Sequence, residues 1–435
     1  MNSVTVGYIG IALFLGLIAL RIPIAFAFGA VGFLGIWALK GVGVAASMVG
    51  SQPFAWASHY ILMAIPLFIL MGFFAFHARI SEDLYKCAYT CLGHVPGGLA
   101  IATIIGCAGF AATSGASLAC SGAMGAVAIP EMEKHGYDKR LSTGCVAAGG
   151  TLGILIPPSI AMIIYGTICE ESIGKLFIAG IIPGIVLTLA YIAAVVIWIG
   201  LNPKLGPPGP RFTWKERIVS LRGLGLMAAL FLMLIGGIFL GVFTPTEGAA
   251  VGAFGAFIFA ALRKRITKRV IIDSIREAGK TTCMIFILYI TAMMFMGFLA
   301  LTRLPYMLAE WVVSLPYSPM GILSAVLFIY VPLGMVMDAI SMLVLTLPIF
   351  FPIILKLGFD PIWFGILIVV LTELALITPP VGMNVYILKG VTDLPIEGIF
   401  KGIIPFAIAD VVVLIILVAF PIITLYLPNL MATVK

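Results

Sequence analysis

The chain is expected to be an all-α polytopic membrane protein, an inverted repeat of two halves. Each half would hold five transmembrane helices and one re-entrant hairpin. Three observations lead there. Of the 435 residues, 62% are hydrophobic and only 10% charged, with a mean hydropathy of +1.20. No soluble domain of this length needs so much apolar surface. The apolar runs are roughly 16–28 residues long, which suits helices and not the alternating ~10-residue strands of an outer-membrane barrel. Finally, a proline pair at 157–158 recurs at 379–380, 222 residues on, inside similar apolar segments.

Taken in order, the chain begins with MNSVTVGYIGIALFLGLIALRIP, which has no basic n-region and no A-x-A site. It reads as a retained first helix and not as a cleaved signal. Spans of crossing length follow at 4–20, 22–39, 59–77, 142–168, 176–200, 223–242, 247–262, 281–302, 363–390 and 402–427, giving ten crossings. Two other apolar stretches are too short to cross twice. In 95–131, arms of 16 and 14 residues flank the polar tip AATSGAS at 111–117. At 1.5 Å per residue they reach only ~24 and ~21 Å, against a hydrocarbon core of ~30 Å. A re-entrant hairpin fits. Residues 318–352 repeat the pattern around GMVMDAIS at 334–341. Residues 80–93 and 303–316 look amphipathic and interfacial, suited to bracing the hairpins. The seven cysteines lie mostly in apolar segments, and Cys87 and Cys91 have no second pair to complete a zinc site. They read as packing residues.

Charge supports the layout. With two hairpins and ten crossings, 20 of the 25 Lys and Arg fall on one side, and Lys40, Lys175, Arg303, Lys356 and Lys435 on the other. The rich side is cytoplasmic by the positive-inside rule. The net charge of +7 therefore reports topology and is no argument for nucleic acid.

The repeat extends beyond the proline pairs. Pro23 recurs as Pro245 and Pro130 as Pro352, both at an offset of 222, and Pro96 as Pro319 at 223. Met71-Gly72-Phe73 recurs as Met296-Gly297-Phe298 at 225. The halves are 1–210 and 211–435. An odd number of crossings inverts the second copy, which is the plan of secondary transporters with a site near mid-membrane.

Proline has no N–H, so each one leaves the carbonyl four residues earlier without its helical partner. Pro157 and Pro158 free Gly153 and Ile154; Pro379 and Pro380 free Ala375 and Leu376. Such carbonyls cost several kcal/mol in hydrocarbon unless something satisfies them. A small cation suits them, and the helix start beyond each break suits an anionic group. A single proline pair would read as a packing kink; two at equivalent repeat positions, each behind a short hairpin, read as functional. The tips add hydroxyls at Thr113, Ser114, Ser117 and Ser341. Candidate substrate contacts are Thr113, Ser114, Ser159, Asp338 and Asn384.

Other residues admit two readings. Asp338 is either a cation ligand or the N-cap of the second hairpin arm. Glu373 either pairs with a hydroxyl or free backbone, or takes part in coupling. Thr244-Pro245-Thr246-Glu247 reads as a capping box with proline at the first helical position. Asn384 either orients substrate or bridges helices. No enzyme is indicated. GASL at 115–118 echoes an intramembrane serine protease, but the four histidines, His59, His77, His94 and His135, sit at span ends or in loops, leaving no base beside the serine. No Walker A motif supports ATP coupling, and a passive channel would not need two broken-helix sites.

ATSGASLA (112–119), GGTLGILIPPSI (149–160), TPTEG (244–248) and ITPPVGMN (377–384) together resemble the large membrane subunit of TRAP transporters, the DctM family of the ion-transporter superfamily. The resemblance covers essentially the whole chain. It implies sodium-coupled uptake of organic acids by an elevator movement across a bacterial inner membrane, with sodium as coupling ion and no other cofactor. It also implies a small four-helix membrane subunit and a periplasmic substrate-binding protein. The small subunit is sometimes fused in front; no such extension precedes the first span, so a separate one is expected. Carried over by position, one sodium site would use Ser114, Gly115 and Ser117 with Gly150, Thr151 and Gly153. The other would use Met337, Asp338 and Ser341 with Thr378, Pro380 and Met383. The hairpins and broken helices 142–168 and 363–390 would move against a scaffold of 4–77 and 223–302. The rival reading is a stand-alone carboxylate symporter or cation antiporter of the same superfamily.

Overall fold

The computed structural model describes residues 2–222 and 225–433. Residues 223 and 224, which open the expected 223–242 span, and Lys435 lie outside the described residues. Among those described, the secondary structure is helical throughout. The chain opens with α1 (Ser3–Ala19), α2 (Ile24–Lys40), α3 (Val42–Ala57), a short 3₁₀ turn (Tyr60–Met63) and α4 (Ala64–His77). α5 (Ile80–Leu92) leads into a hairpin of α6 (Gly98–Ser114) and α7 (Ser117–Lys134). α8 (Lys139–Leu155) and α9 (Ile160–Ile168) are one helix interrupted at the first proline pair, and α10 (Ile173–Leu201) follows.

The order then recurs. After α11 (Trp214–Arg222) come α12 (Gly225–Phe239), α13 (Pro245–Leu262) and α14 (Lys268–Thr302). α15 (Leu304–Ser314) leads into a hairpin of α16 (Pro319–Gly334) and α17 (Ala339–Lys356). α18 (Pro361–Ile377) and α19 (Met383–Lys389) are interrupted at the second proline pair; α20 (Ile396–Ala419) and α21 (Ile422–Thr433) complete the chain. The matched prolines fall at matching places. Pro130 and Pro352 lie inside the second hairpin arms, and Pro23 and Pro245 at the starts of α2 and α13.

Seven helices among the described residues are long and apolar enough to cross a membrane: 60–77, 139–168, 173–201, 245–262, 268–302, 339–356 and 396–419. α1, α2, α6, α12, α16 and α18 add apolar segments of 10–17 residues. The hairpin arms α6 and α7 have 17 and 18 residues, longer than expected. At about 26 and 27 Å they approach the thickness of the hydrocarbon core, and α7, which ends on Glu131, Glu133 and Lys134, is not among the helices long and apolar enough to cross.

Three elements differ from expectation. Residues 42–57, between the expected spans 22–39 and 59–77, form α3, whose internal Pro53 and run of small and polar residues hide it. The expected span 402–427 is divided at Phe420-Pro421: the proline cannot donate to the helix, and Phe420, before it, leaves helical geometry with φ −128° and ψ 74°. The expected span 281–302 is the distal part of α14, a continuous helix of 35 residues. Its charged first turns carry it past the hydrocarbon.

The core lies along the two broken helices. Every residue of α8 from Leu141 to Leu155, and of α18 from Ile362 to Ile377, is buried. A helix that is apolar all round belongs inside. α6 and α7 pack on α8, α16 and α17 on α18, and α8 touches α18 directly. α5 packs against α6 and α7, and α15 against α17, the bracing arrangement their amphipathic patterns suggest. The frame is built differently. α2 lies along α14, and α4 along α13 and α14. There Phe14 stacks on Phe28 at 4.7 Å and on Phe295 at 5.1 Å between ring centroids.

Candidate functional site

The first hairpin turns over at Gly115, in left-handed backbone with φ +62°, where L side chains are strained. A Cβ there would also sit 2.8 Å from Pro158 O. The tip therefore lies directly on the first break, and the Gly115 carbonyl accepts from Ile160 N–H at 3.4 Å. From the other side, Gly153 meets the Ala116–Ser117 peptide so closely that a Cβ would be 3.0 Å from the Ala116 carbonyl. Gly150 faces Ser121 Oγ. The small residues of GGTLG thus bring the main chain of the broken helix against the main chain of the tip.

The polar inventory there is partly unused. Among the described residues, no N–H or hydroxyl reaches the carbonyls of Gly153 or Ile154. Ser114 Oγ and Ser121 Oγ are buried without a hydrogen-bond partner. Thr113 Oγ1 donates to Phe110 O at 2.8 Å. Thr151 Oγ1 turns away from the tip and lies 2.6 Å from Ala148 O and 3.2 Å from Tyr191 Oη, so only its main chain faces this region. Ser159 caps α9, accepting from Met162 N–H at 3.3 Å. With Ile160 N–H given to Gly115, two donors of the helix start expected to meet an anion are already taken by the protein.

The second break enters the same place through Asn384. Its Nδ2 donates to Ser117 Oγ at 2.8 Å and to Ala147 O at 3.2 Å, and Ser117 Oγ lies 3.1 Å from Asn384 Oδ1. Asn384 is fully buried. Of its two sequence readings, the structure displays the bridge: one side chain ties α19 to the tip of α7 and to α8.

The second tip is arranged differently. Asp338 is the N-cap of α17, with Oδ1 accepting from Ile340 N–H at 3.0 Å and Ser341 N–H at 3.1 Å, and Oδ2 accepting from the Ser341 hydroxyl. Gly334 packs on Ala375, so the hairpin does reach the break. Yet among the described residues no hydrogen bond joins Met337, Asp338 or Ser341 to Thr378, Pro380 or Met383. Pro379 and Pro380 are exposed, whereas Pro157 and Pro158 are buried. The Ala375 carbonyl, expected to be free, accepts from Thr378 N–H and its hydroxyl, both at 3.3 Å. Leu376 O receives no such bond. The TPTEG box forms as expected: Thr244 Oγ1 accepts from Glu247 N–H at 3.2 Å, and Glu247 Oε2 from Thr244 N–H at 2.8 Å.

Glu373 departs from the pairing with hydroxyl or backbone that was one of its readings. It is fully buried and neither carboxylate oxygen has a hydrogen-bond partner; the Leu155 N–H approaches without closing a normal bond. Sequence reasoning missed Ser121, although it follows Ser117 at i+4 on the same face of α7. It also missed Asp410 and Tyr191, whose hydroxyl lies 2.6 Å from Asp410 Oδ1. A lone Asp in an apolar run was the available signal.

The family model for the "Tripartite ATP-independent periplasmic transporter, DctM component" matches residues 11–423. The C4-dicarboxylate TRAP transporter large permease protein DctM of Pseudomonas aeruginosa is 40% identical over 377 residues, 86% of this chain and 88% of that one. The sialic acid TRAP transporter large permease protein SiaM of Vibrio cholerae is 31% identical over 420 residues, 96% of this chain and 97% of that one. In fold, the chain is similar to the Alcanivorax borkumensis YdaH transporter, with a TM-score of 0.60 at 12% identity, covering 86% of this chain and 88% of that one. The curated relatives are transporter permeases and not enzymes. With a match that runs over nearly its whole length, this multi-pass membrane protein belongs to the DctM family, the large permease component of tripartite ATP-independent periplasmic transporters.

Proposed function

We propose that the chain is the inner-membrane permease of a sodium-coupled importer of small organic acids, delivered by a periplasmic binding protein. A small four-helix membrane subunit completes the assembly. The observation that carries this reading is the junction at the first break. Two main-chain oxygens without donors, Gly153 O and Ile154 O, belong to the stretch of broken helix that Gly153 brings against the hairpin tip, where the Ser114 hydroxyl is unpartnered. Hard oxygens of that kind suit a small alkali cation. The names of the relatives, one a C4-dicarboxylate and one a sialic acid permease, support an anionic carboxylate cargo.

In this reading, sodium neutralises the oxygens of Ser114, Gly115, Ser117, Gly150, Thr151 and Gly153. It thereby fixes the tip against α8 and aligns Asn384. The second site, around Met337, Asp338 and Ser341 with Thr378, Pro380 and Met383, forms when the exposed second break closes. The substrate lies between the tips, met by Thr113, Ser114, Ser159, Asp338 and Asn384. Hairpins and broken helices of the two inverted halves, 1–210 and 211–435, move together as an elevator against the scaffold of 4–77 and 223–302.

The test is uptake of labelled dicarboxylates and sugar acids into proteoliposomes holding both membrane subunits. Uptake should require the loaded binding protein and an inward sodium gradient. Full transport without the binding protein would replace the tripartite reading by a stand-alone symporter. Full transport without sodium would remove the coupling ion.

A further inference from the structure

Behind the first break lies a polar cluster whose side chains the sodium sites do not use. Thr151 on α8, Tyr191 on α10, Glu373 on α18 and Asp410 on α20 are all fully buried, and these four helices pack on one another. Glu373 Oε1 and Oε2 and Asp410 Oδ2 have no hydrogen-bond partner. The ionisable groups that bear on the two carboxyls are each other and Tyr191. No Lys, Arg or His among the described residues faces them. Lys139 and Arg140 on α8, Lys175 on α10, Asp360 at the start of α18, and Glu397 on α20 belong to the first turns of their helices, and Lys401 to the second turn of α20. On elements packed against α18, Tyr165 bonds to Pro361 O and Tyr330 to Thr346.

Three contacts run in series: Asp410 Oδ1 to Tyr191 Oη at 2.6 Å, Tyr191 Oη to Thr151 Oγ1 at 3.2 Å, and Thr151 Oγ1 to Ala148 O at 2.6 Å. Tyr191 and Thr151 supply one hydrogen each. Ala148 O can only accept, so its bond takes the Thr151 hydrogen, and Tyr191 gives its own to Asp410 Oδ1, which leaves the middle contact short of one. A proton on Asp410 would supply it, with Tyr191 then turning its own hydrogen to Thr151. Glu373 has no donor beyond the approach of the Leu155 N–H and no counter-ion, a state an ionised carboxylate does not tolerate in a buried site.

We propose that Glu373 and Asp410 form a buried proton-binding pair, each holding a proton, with that of Asp410 completing a chain through Tyr191 and Thr151 to Ala148 O. The protons come from water and return to water as carboxylate plus H⁺. Loss of the Asp410 proton reverses the chain: Tyr191 then donates to Asp410, Thr151 to Tyr191, and Ala148 O keeps only the N–H of its own helix. That carbonyl is the neighbour of Ala147 O, which accepts from Asn384. Protonation thereby reaches the turn of α8 that holds Gly150 and receives the second break.

Infrared spectroscopy of the protein in nanodiscs tests this without any transport step. At neutral pH the wild type should show a protonated-carboxyl C=O band. Glu373→Gln and Asp410→Asn should each remove about half of it, and adding sodium chloride at constant pH should leave it in place. Should a variant fail to fold, the wild-type spectrum still decides, because Glu373 and Asp410 are the only fully buried acidic residues among those described. Absence of the band at neutral pH, or its loss on adding sodium, which would make the pair a metal-cation site, overturns the proposal.

Discussion

Ser117 is bonded to a residue 267 positions further along the chain, Asn384. That bond ties the first hairpin to the second broken helix. Ser117→Ala removes the hydroxyl and leaves Asn384 with the Ala147 carbonyl alone. The sodium concentration for half-maximal uptake should rise several-fold, because a hydrogen bond of this kind contributes about 1 kcal/mol. An unchanged sodium dependence would take Ser117 out of the site. Gly115→Val is predicted to be harsher. The left-handed backbone alone costs roughly 1–2 kcal/mol for an L residue, and the added Cβ meets Pro158 O. Uptake should vanish while membrane insertion, measured by fractionation, persists. At this scale the sequence was only half readable. Hydroxyls and glycines near the proline pairs could be found by position, but which hydroxyl bonds to which partner depends on side-chain directions across helices. Thr151 is the example: its place in GGTLG pointed to the tip, yet its hydroxyl serves Tyr191.

At the scale of elements, the broken helix is the device. Replacing Pro157 and Pro158 together by Ala supplies N–H groups for Gly153 O and Ile154 O and lets α8 run on into α9. With those oxygens occupied by the helix itself, stimulation of uptake by sodium should fall to background, whatever the helix gains in stability. Sodium stimulation of uptake within two-fold of wild type would contradict this. Elements were legible where chemistry punctuates the chain. Both breaks, both hairpins and the α13 capping box follow from proline, small polar residues and the T-P-T-E order. The misses have physical causes: α3 is too polar for a hydropathy reading, and the end of α20 is set by Phe420-Pro421 inside an otherwise unbroken apolar run.

At the scale of the molecule, the two halves share an order of elements but differ in closure. The first break is buried under its tip, and the second is exposed at Pro379 and Pro380. A symmetric sequence repeat cannot display that difference, which belongs to one conformation of the fold. The second break should therefore be the mobile partner. In a cysteine-free background, a cysteine at Val381 should react with a hydrophilic maleimide, be protected by sodium plus substrate, and far outpace one at Ser159. Equal reactivity at the two positions would refute the asymmetry. The central claim remains that main-chain oxygens released by prolines in mid-membrane bind metal ions. A cryo-electron microscopy map of the reconstituted complex, at a resolution that separates ions from water and recorded in sodium and in sodium-free buffer, addresses it directly. Sodium-dependent density should contact the tip at Ser114 and the Gly153–Ile154 main chain. The same oxygens in contact only with protein atoms in both buffers would contradict it.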